Sequence, residues 1–217
     1  MSELAKFLEH TILKPDTTLQ DATRVCEEAI RFGFGAVCIP PTFVKDARRT
    51  LGDRSKVRLV TVVGFPMGYA TISAKSEEIK RALEDGADDI DAVINISAVK
   101  SALWNNVSRD IDGLALATQT RGGTLRLILE CALLSKDELR KVCEIAAEAG
   151  VPWLKTGTGF HGFDATAEMV RALRHMAGSK VKIKAAGGIR TAKIAQTLLE
   201  AGADRLGTSA SINIISA

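Results

Sequence analysis

Ser135–Lys155 reads SKDELRKVCEIAAEAGVPWLK and contains one complete helix–strand unit. Ser135 and Glu138 form a capping-box pattern, which opens an amphipathic helical run. Gly150 follows the run, and glycine can adopt the left-handed conformation that ends a helix. Val151–Lys155 then has the pattern of a short buried strand.

The same glycine junction recurs along the chain, which indicates a repeated architecture. Gly35-Ala36, Gly86-Ala87 and Gly202-Ala203 each precede a β-rich run. The runs predict eight strands: Leu8–Leu13, Ala36–Ile39, Arg58–Val63, Asp89–Ile94, Leu125–Glu130, Val151–Lys155, Val181–Ala185 and Arg205–Gly207. The intervening patterns predict helices over Leu19–Phe32, Thr42–Leu51, Ser73–Asp85, Trp104–Thr120, Lys136–Ala149, Ala165–Met176 and Ala192–Glu200, and a short one after Ser211.

Strands that alternate with helices fit either a closed (β/α)8 TIM barrel or an open, doubly wound sheet. The strand count and the absence of an early glycine-rich nucleotide fingerprint favour the barrel. No linker rich in proline, glycine or serine interrupts the series, so we expect one α/β catalytic domain over residues 1–217. Catalytic groups of such barrels lie at the C-terminal ends of the strands.

The composition excludes several classes of protein. A net charge of +3, with acids and bases interleaved and 5% aromatic residues, makes nucleic acid a poor candidate partner. No apolar run could span a membrane and the first residues lack the order of a signal peptide, so we expect a cytoplasmic protein without a membrane partner. The cysteines and histidines show no zinc or disulfide spacing, so we expect reduced thiols and no metal site.

Two lysines at the ends of neighbouring predicted strands are candidate catalytic groups. Alternation places Lys155 on the same face as Trp153, and Lys184 on the face opposite Ile183. If both lysines face the barrel interior, two ammonium groups share one cavity, which favours the loss of one proton. Lowering a lysine pKa from about 10.4 to about 7–8 would supply a neutral amine that forms a Schiff base with a carbonyl.

Asp91, in the fourth predicted strand, offers a counter-charge inside the barrel. A buried carboxylate must be paired, and inward lysines provide partners. The residues alone leave two interpretations open, a structural ion pair or a proton relay with Lys184.

Small residues follow the seventh and eighth predicted strands, where barrels often bind phosphate. Gly187-Gly188 and the segment Gly207–Ser211 offer backbone N–H groups and hydroxyls, although ordinary capped turns are an alternative interpretation. Gly157–Gly162 matches G-x-G-x-x-G, but the acid expected about 20 residues on is missing, which argues against a dinucleotide site.

Five blocks of the sequence resemble the deoxyribose-phosphate aldolase family. They are Val63–Gly68 (VGFPMG), Ile90–Asn95 (IDAVIN), Trp153–Phe160 (WLKTGTGF), Lys184–Thr191 (KAAGGIRT) and Arg205–Ser209 (RLGTS). The resemblance runs in the family's order from His10-Thr11 to about Ser209, and the blocks that contain the two lysines are quite specific to this family.

The resemblance implies a (β/α)8 barrel and a class I aldolase that needs neither metal nor cofactor. Such enzymes reversibly cleave 2-deoxy-D-ribose 5-phosphate to D-glyceraldehyde 3-phosphate and acetaldehyde. Lys155 matches the Schiff-base lysine, Lys184 the second lysine that depresses its pKa and moves protons, and Asp91 the aspartate that works with Lys184 through water. The substrate- and phosphate-binding positions would be Thr156, Gly187, Gly188, Gly207, Thr208, Ser209 and Ser211. Barrels of this family often pair, so a homodimer is one expectation.

Three features depart from the family's pattern. Glu9 stands where aspartate is expected, and the longer side chain should alter a secondary contact. Ser97 stands where glycine is usual, which should affect the backbone more than the chemistry. Some members use a C-terminal tyrosine in proton transfer, whereas the only tyrosine here is Tyr69, which leaves that step to water or to residues beyond those given.

Two other functions fit the same residues. One is a Schiff-base aldolase that acts on a different phosphorylated sugar or on a keto acid. The other is a phosphate-metabolite sensor that has lost catalysis, although the joint presence of Lys155, Lys184 and Asp91 argues against it.

Overall fold

A computed structural model, which describes residues 3–216, contains eight parallel strands closed into a barrel. The strands are β1 (Leu8–Thr11), β2 (Ala36–Ile39), β3 (Arg58–Val63), β4 (Asp89–Val93), β5 (Thr124–Ile128), β6 (Trp153–Lys155), β7 (Lys182–Ala186) and β8 (Arg205–Thr208). Each strand pairs with its neighbours in chain order, and β1 pairs with β8 to close the circle. The predicted TIM barrel is confirmed.

Helices connect the strands, as parallel pairing requires. Over residues 3–216 they are α1 (Leu19–Phe32), α2 (Val44–Leu51), α3 (Ile72–Glu84), α4 (Ile96–Lys100), α5 (Trp104–Gln119), α6 (Lys136–Glu148), α7 (Ala167–Ala177), α8 (Ala192–Glu200) and α9 (Ser211–Ile215). The sequence did not predict α4, because five residues are too few to show a helical period. None of these helices combines the length and apolar content needed to cross a bilayer.

Polar caps begin two of the longer helices. Thr18 with Asp21 at α1, and Ser135 with Glu138 at α6, form capping boxes, the second of which the sequence predicts. Gly33 ends α1 in the left-handed conformation, with φ of 69°. Local sequence therefore defines these boundaries.

Several strand ends differ from the predicted ones. β1 ends at Thr11 instead of Leu13, since apolar residues continue past the point where pairing stops. β5 stops before Glu130, whose backbone is left-handed (φ 53°, ψ 56°). β6 begins only after Pro152, which has no N–H group to donate to a ladder.

The apolar core lies between the barrel and the helices. Alternate strand residues such as Ile90, Leu154 and Ile183 are almost completely buried there. The barrel interior is largely charged, and its buried groups are Glu9, Asp89, Asp91, Arg126, Lys155 and Lys184. Ala36, Cys38, Val60 and Val62 form a separate apolar wall. Because a buried charge is stable only when it is paired, this interior must contain a network of ion pairs.

Candidate active site

The three predicted catalytic side chains meet inside the barrel. Asp91 Oδ2 accepts hydrogen bonds from Lys155 Nζ at 2.7 Å and from Lys184 Nζ at 2.5 Å. Lys155 and Lys184 are direct neighbours in the β6–β7 ladder, and each of the three residues is at most 2% exposed. Two lysine nitrogens thus share a single carboxylate oxygen, in a direct contact that differs from the water-mediated arrangement implied by the resemblance.

The charges in the triad formed by Asp91, Lys155 and Lys184 depend on one another. Burial by itself would raise the pKa of Asp91, but Lys155, Lys184 and Arg126 together hold it well below its usual range. Burial would likewise lower the pKa of Lys184, but the charges of Asp91 and Glu9 raise it above its ordinary value. At neutral pH, Asp91 is therefore a carboxylate and Lys184 is a cation.

Glu9 and Arg126 extend the triad, and neither was among the predicted site residues. Glu9 Oε1 accepts a hydrogen bond from Lys184 Nζ, and Glu9 Oε2 accepts one from Arg126 Nη1. Arg126 Nη2 also donates to Asp89 Oδ2. The altered contact expected at Glu9 is therefore a bridge between Lys184 and Arg126. Arg126 lies two residues before Ile128, the last residue of β5. The alternation of side chains along a strand, which identified Lys155, could therefore also have identified Arg126.

The charged network continues toward the N-terminal end of the barrel. Arg58 donates to both Asp89 carboxylate oxygens, and the Arg126 guanidinium lies 4.9 Å from the ring centroid of Trp153. Lys182, two residues before Lys184 in β7, is exposed and lies 5.2 Å from the centroid of the same ring.

A cavity of about 510 Å³ opens at the C-terminal ends of the strands, and Lys155 forms part of its lining. Five of the predicted phosphate-binding residues also line it: Gly187, Gly188, Gly207, Thr208 and Ser209. The nucleophile candidate and the phosphate candidates therefore face the same space.

Glycine is required at one side of this cavity. Gly187 and Gly188 have φ angles of +111° and +69°, which other residues rarely adopt. A Cβ atom on Gly188 would lie 2.1 Å from the side chain of Asp164. The pair therefore brings bare backbone to the cavity, as a phosphate site needs.

Thr156 and Ser211, the other two predicted substrate-binding residues, are not part of the lining of this cavity. Thr156 Oγ1 donates to the Ala186 carbonyl at 3.2 Å and accepts from the Ala186 N–H at 3.0 Å. Ser211 Oγ donates to the Thr208 carbonyl at 3.3 Å, and both hydroxyls are buried. The two hydroxyls therefore bind backbone at the C-terminal ends of β7 and β8.

Two further sequence features have structural rather than ligand-binding explanations. The residues after Gly157–Gly162 form a loop, and α7 begins only at Ala167, so the glycine pattern does not open a helix. Ser97 lies exposed within α4, where a helical backbone has no need of glycine.

Glu9, Cys38 and Asp91 have potential metal-ligand atoms within 4.8 Å of one another. Both carboxylates already bind lysine ammonium groups, and burial raises the pKa of the Cys38 thiol to about 12. Since a metal ion needs the thiolate, this set of side chains suits ammonium groups better than a metal.

Comparisons with known proteins show the family to which the chain belongs. The model of the DeoC/LacD family aldolase matches residues 5–216. The deoxyribose-phosphate aldolase of Thermococcus gammatolerans is 42% identical over 214 residues, which cover 98% of this chain and 95% of the relative. That of Staphylococcus carnosus is 40% identical over 213 residues, which cover 98% and 96%.

A solved structure gives the same result. The deoxyribose phosphate aldolase from Aeropyrum pernix, described as having a unique tetrameric structure, matches with a TM-score of 0.90 at 29% identity, covering 98% of this chain and 89% of that one. The family resemblance of the sequence blocks is confirmed, and the chain is an enzyme of the lyase class. It belongs to the DeoC/LacD family of aldolases.

Proposed function

We propose that this enzyme reversibly cleaves 2-deoxy-D-ribose 5-phosphate to D-glyceraldehyde 3-phosphate and acetaldehyde through a Schiff base on Lys155. The observation that carries the proposal is the shared Asp91 oxygen, which holds two lysines at the base of a cavity with a glycine-rich rim. The relatives from Thermococcus gammatolerans and Staphylococcus carnosus bear the name of this activity.

The reaction begins with nucleophilic attack. The neutral amine of Lys155 adds to the C1 aldehyde carbon of the open-chain sugar, giving a carbinolamine that loses water to become an iminium. A base then takes the proton of the C3 hydroxyl, the C3–O electrons form a carbonyl, and the C2–C3 bond breaks. Its electron pair moves into the C1–C2 bond as an enamine, and glyceraldehyde 3-phosphate, carbons 3 to 5, leaves.

The enzyme returns to its starting state in two further steps. A proton adds to C2 of the enamine, which restores an iminium, and water hydrolyses this to acetaldehyde and the free Lys155 amine. Asp91 is the group we assign to accepting and returning protons, because its carboxylate contacts Lys155 directly. Lys184 supplies the second positive charge and the proton donor on the same carboxylate oxygen.

The substrate phosphate would bind at the far side of the cavity. Gly187 and Gly188 present backbone without side chains, and Thr208 and Ser209 lie at the end of the neighbouring strand β8. Backbone N–H groups in such turns form concave anion-binding surfaces. This arrangement would hold the sugar with its aldehyde toward Lys155 and its phosphate toward β7 and β8.

The test is acetaldehyde release from deoxyribose 5-phosphate by the wild-type chain and by Lys155→Ala. Borohydride added with substrate should trap an adduct on the peptide that contains Lys155. Lys182→Ala, an exposed lysine one strand away, is the matched control and should keep its activity. Wild-type turnover without an adduct would overturn the mechanism, and cleavage of other sugars or keto acids in preference would overturn the substrate. Phosphate binding with no turnover at all would favour the sensor.

We further propose that the enzyme works in the cytoplasm, in deoxynucleoside catabolism. Its four buried cysteines are unpaired within residues 3–216, as is usual for proteins in reducing compartments. The homodimer stays a prediction, to be checked by light scattering.

A further inference from the structure

Glu130 lies directly behind the loop that follows Lys155, and the mechanism above gives it no role. It is 3% exposed, and its backbone is left-handed with φ of 53° and ψ of 56°. Residues with a side chain rarely adopt this conformation, and those that do concentrate at functional sites, where their surroundings hold them. The position therefore calls for an explanation from its contacts.

The Glu130 carboxylate binds the backbone of the loop after β6. Its Oε2 accepts hydrogen bonds from Thr158 N at 3.0 Å and from Thr158 Oγ1 at 2.5 Å. Thr158 Oγ1 in turn accepts a hydrogen bond from Phe160 N at 3.1 Å. On the other side, a Cβ atom on Gly157 would lie 2.5 Å from Glu130 Oε1. One buried carboxylate therefore sets the path of residues 157–160.

The residues on either side of Glu130 bind Lys155 and Thr156 through backbone hydrogen bonds. Leu129 N donates to the Lys155 carbonyl at 3.0 Å, and Cys131 N donates to the Thr156 carbonyl at 2.8 Å. Lys155, Thr156 and Thr158 are thus each hydrogen-bonded to the segment that follows β5. Thr158 and Phe160 also line the catalytic cavity beside Lys155, so this attachment shapes the space that substrate enters.

We propose that Glu130 is a positioning residue, which holds Lys155 and the adjoining cavity wall in the geometry needed for attack on the substrate carbonyl. The inference rests on the proposed Schiff-base function of Lys155. Displacing a reacting group by about 1 Å can cost about 100-fold in rate, so a group that fixes the loop acts on the chemistry without touching substrate.

The experiment compares Glu130→Ala with Glu130→Gln. Glutamine keeps an oxygen that can accept both bonds from Thr158, whereas alanine removes the acceptor. We would measure kcat, the rate of borohydride trapping at Lys155, and inhibition by inorganic phosphate, which we propose to bind at the ends of β7 and β8. Glu144→Ala, an exposed glutamate on α6, is the control.

Alanine at position 130 should lower kcat and the trapping rate together by about 100-fold, with phosphate inhibition unchanged. Glutamine should recover most of both rates, and the control should match the wild type. Trapping that is unaffected by Glu130→Ala, or phosphate binding lost in parallel with trapping, would overturn the inference. If the alanine variant does not fold, Thr158→Val removes the hydroxyl bonds to Glu130 and to Phe160 N but keeps the Glu130 carboxylate. A normal trapping rate in Thr158→Val would also overturn the inference. A wild-type chain that forms no adduct would instead overturn the proposed function, and this inference with it.

Discussion

Glu9 and Lys184 form a buried ion pair that joins β1 to β7, with neither side chain more than 1% exposed. The second carboxylate oxygen of Glu9 binds Arg126, so the pair connects the lysines to the ionic network deeper in the barrel. Lys184 therefore contacts two carboxylates, Glu9 and Asp91. This is the feature that keeps one of the two neighbouring lysines charged.

Replacing Glu9 by glutamine should move the alkaline limb of the pH–rate profile to lower pH. Burial lowers the pKa of Lys184, while Asp91 and Glu9 raise it, so the loss of one carboxylate lowers it. We also expect kcat at neutral pH to fall by about tenfold. Glu9→Asp keeps the charge and should leave the limb in place. If the alkaline limb of Glu9→Gln stays at the wild-type pH, the assignment of that limb to Lys184 is contradicted.

Asp91→Asn should weaken the fold most at neutral pH. The pKa of Asp91 lies below its ordinary value of 3.8, so its contribution to stability is present above about that pH and is lost as pH falls through the folded-state pKa. Leaving a buried partner unpaired costs about 3–5 kcal/mol at neutral pH. Urea unfolding gives the free energy of unfolding of the wild type and of Asp91→Asn. The difference between the two proteins should be smaller at pH 3 than at pH 7. An equal difference at both values would show that Asp91 does not ionise as described.

Gly188→Ala should raise KM for the phosphorylated sugar by about tenfold and leave cleavage of unphosphorylated deoxyribose nearly unchanged. The new Cβ would collide with Asp164 and strain the backbone where phosphate is proposed to bind. Gly122→Ala is the control, because Gly122 has a similar φ of +73° with nothing within 4 Å of the added Cβ. A parallel rise in KM for both substrates would argue against a phosphate site here.

Removal of divalent metal should leave activity unchanged. The carboxylates of Glu9 and Asp91 are engaged by lysines, and the Cys38 thiol stays protonated with a pKa of about 12. Dialysis against a chelator followed by the acetaldehyde assay tests this directly. Activity that disappears on dialysis and returns with a divalent cation would be the contrary result.

The alternation of side chains along each strand was sufficient to select Lys155, Lys184 and Asp91 as inward-facing groups. It did not lead to Glu9 and Arg126, which are 117 residues apart and meet only when the barrel closes. It also could not separate Thr208, which lines the cavity, from Thr156 and Ser211, which do not. The roles of these groups in catalysis stay predictions.

The βα repeat, the barrel class and the inward lysines can be read directly from the chain, because glycine junctions and side-chain periods are properties of neighbouring residues. Which carboxylate each lysine shares, and which loop Glu130 holds, depends on the register of strands distant in sequence. Only closure of the barrel brings those strands within hydrogen-bond distance, so the tertiary structure alone decides the ionic network.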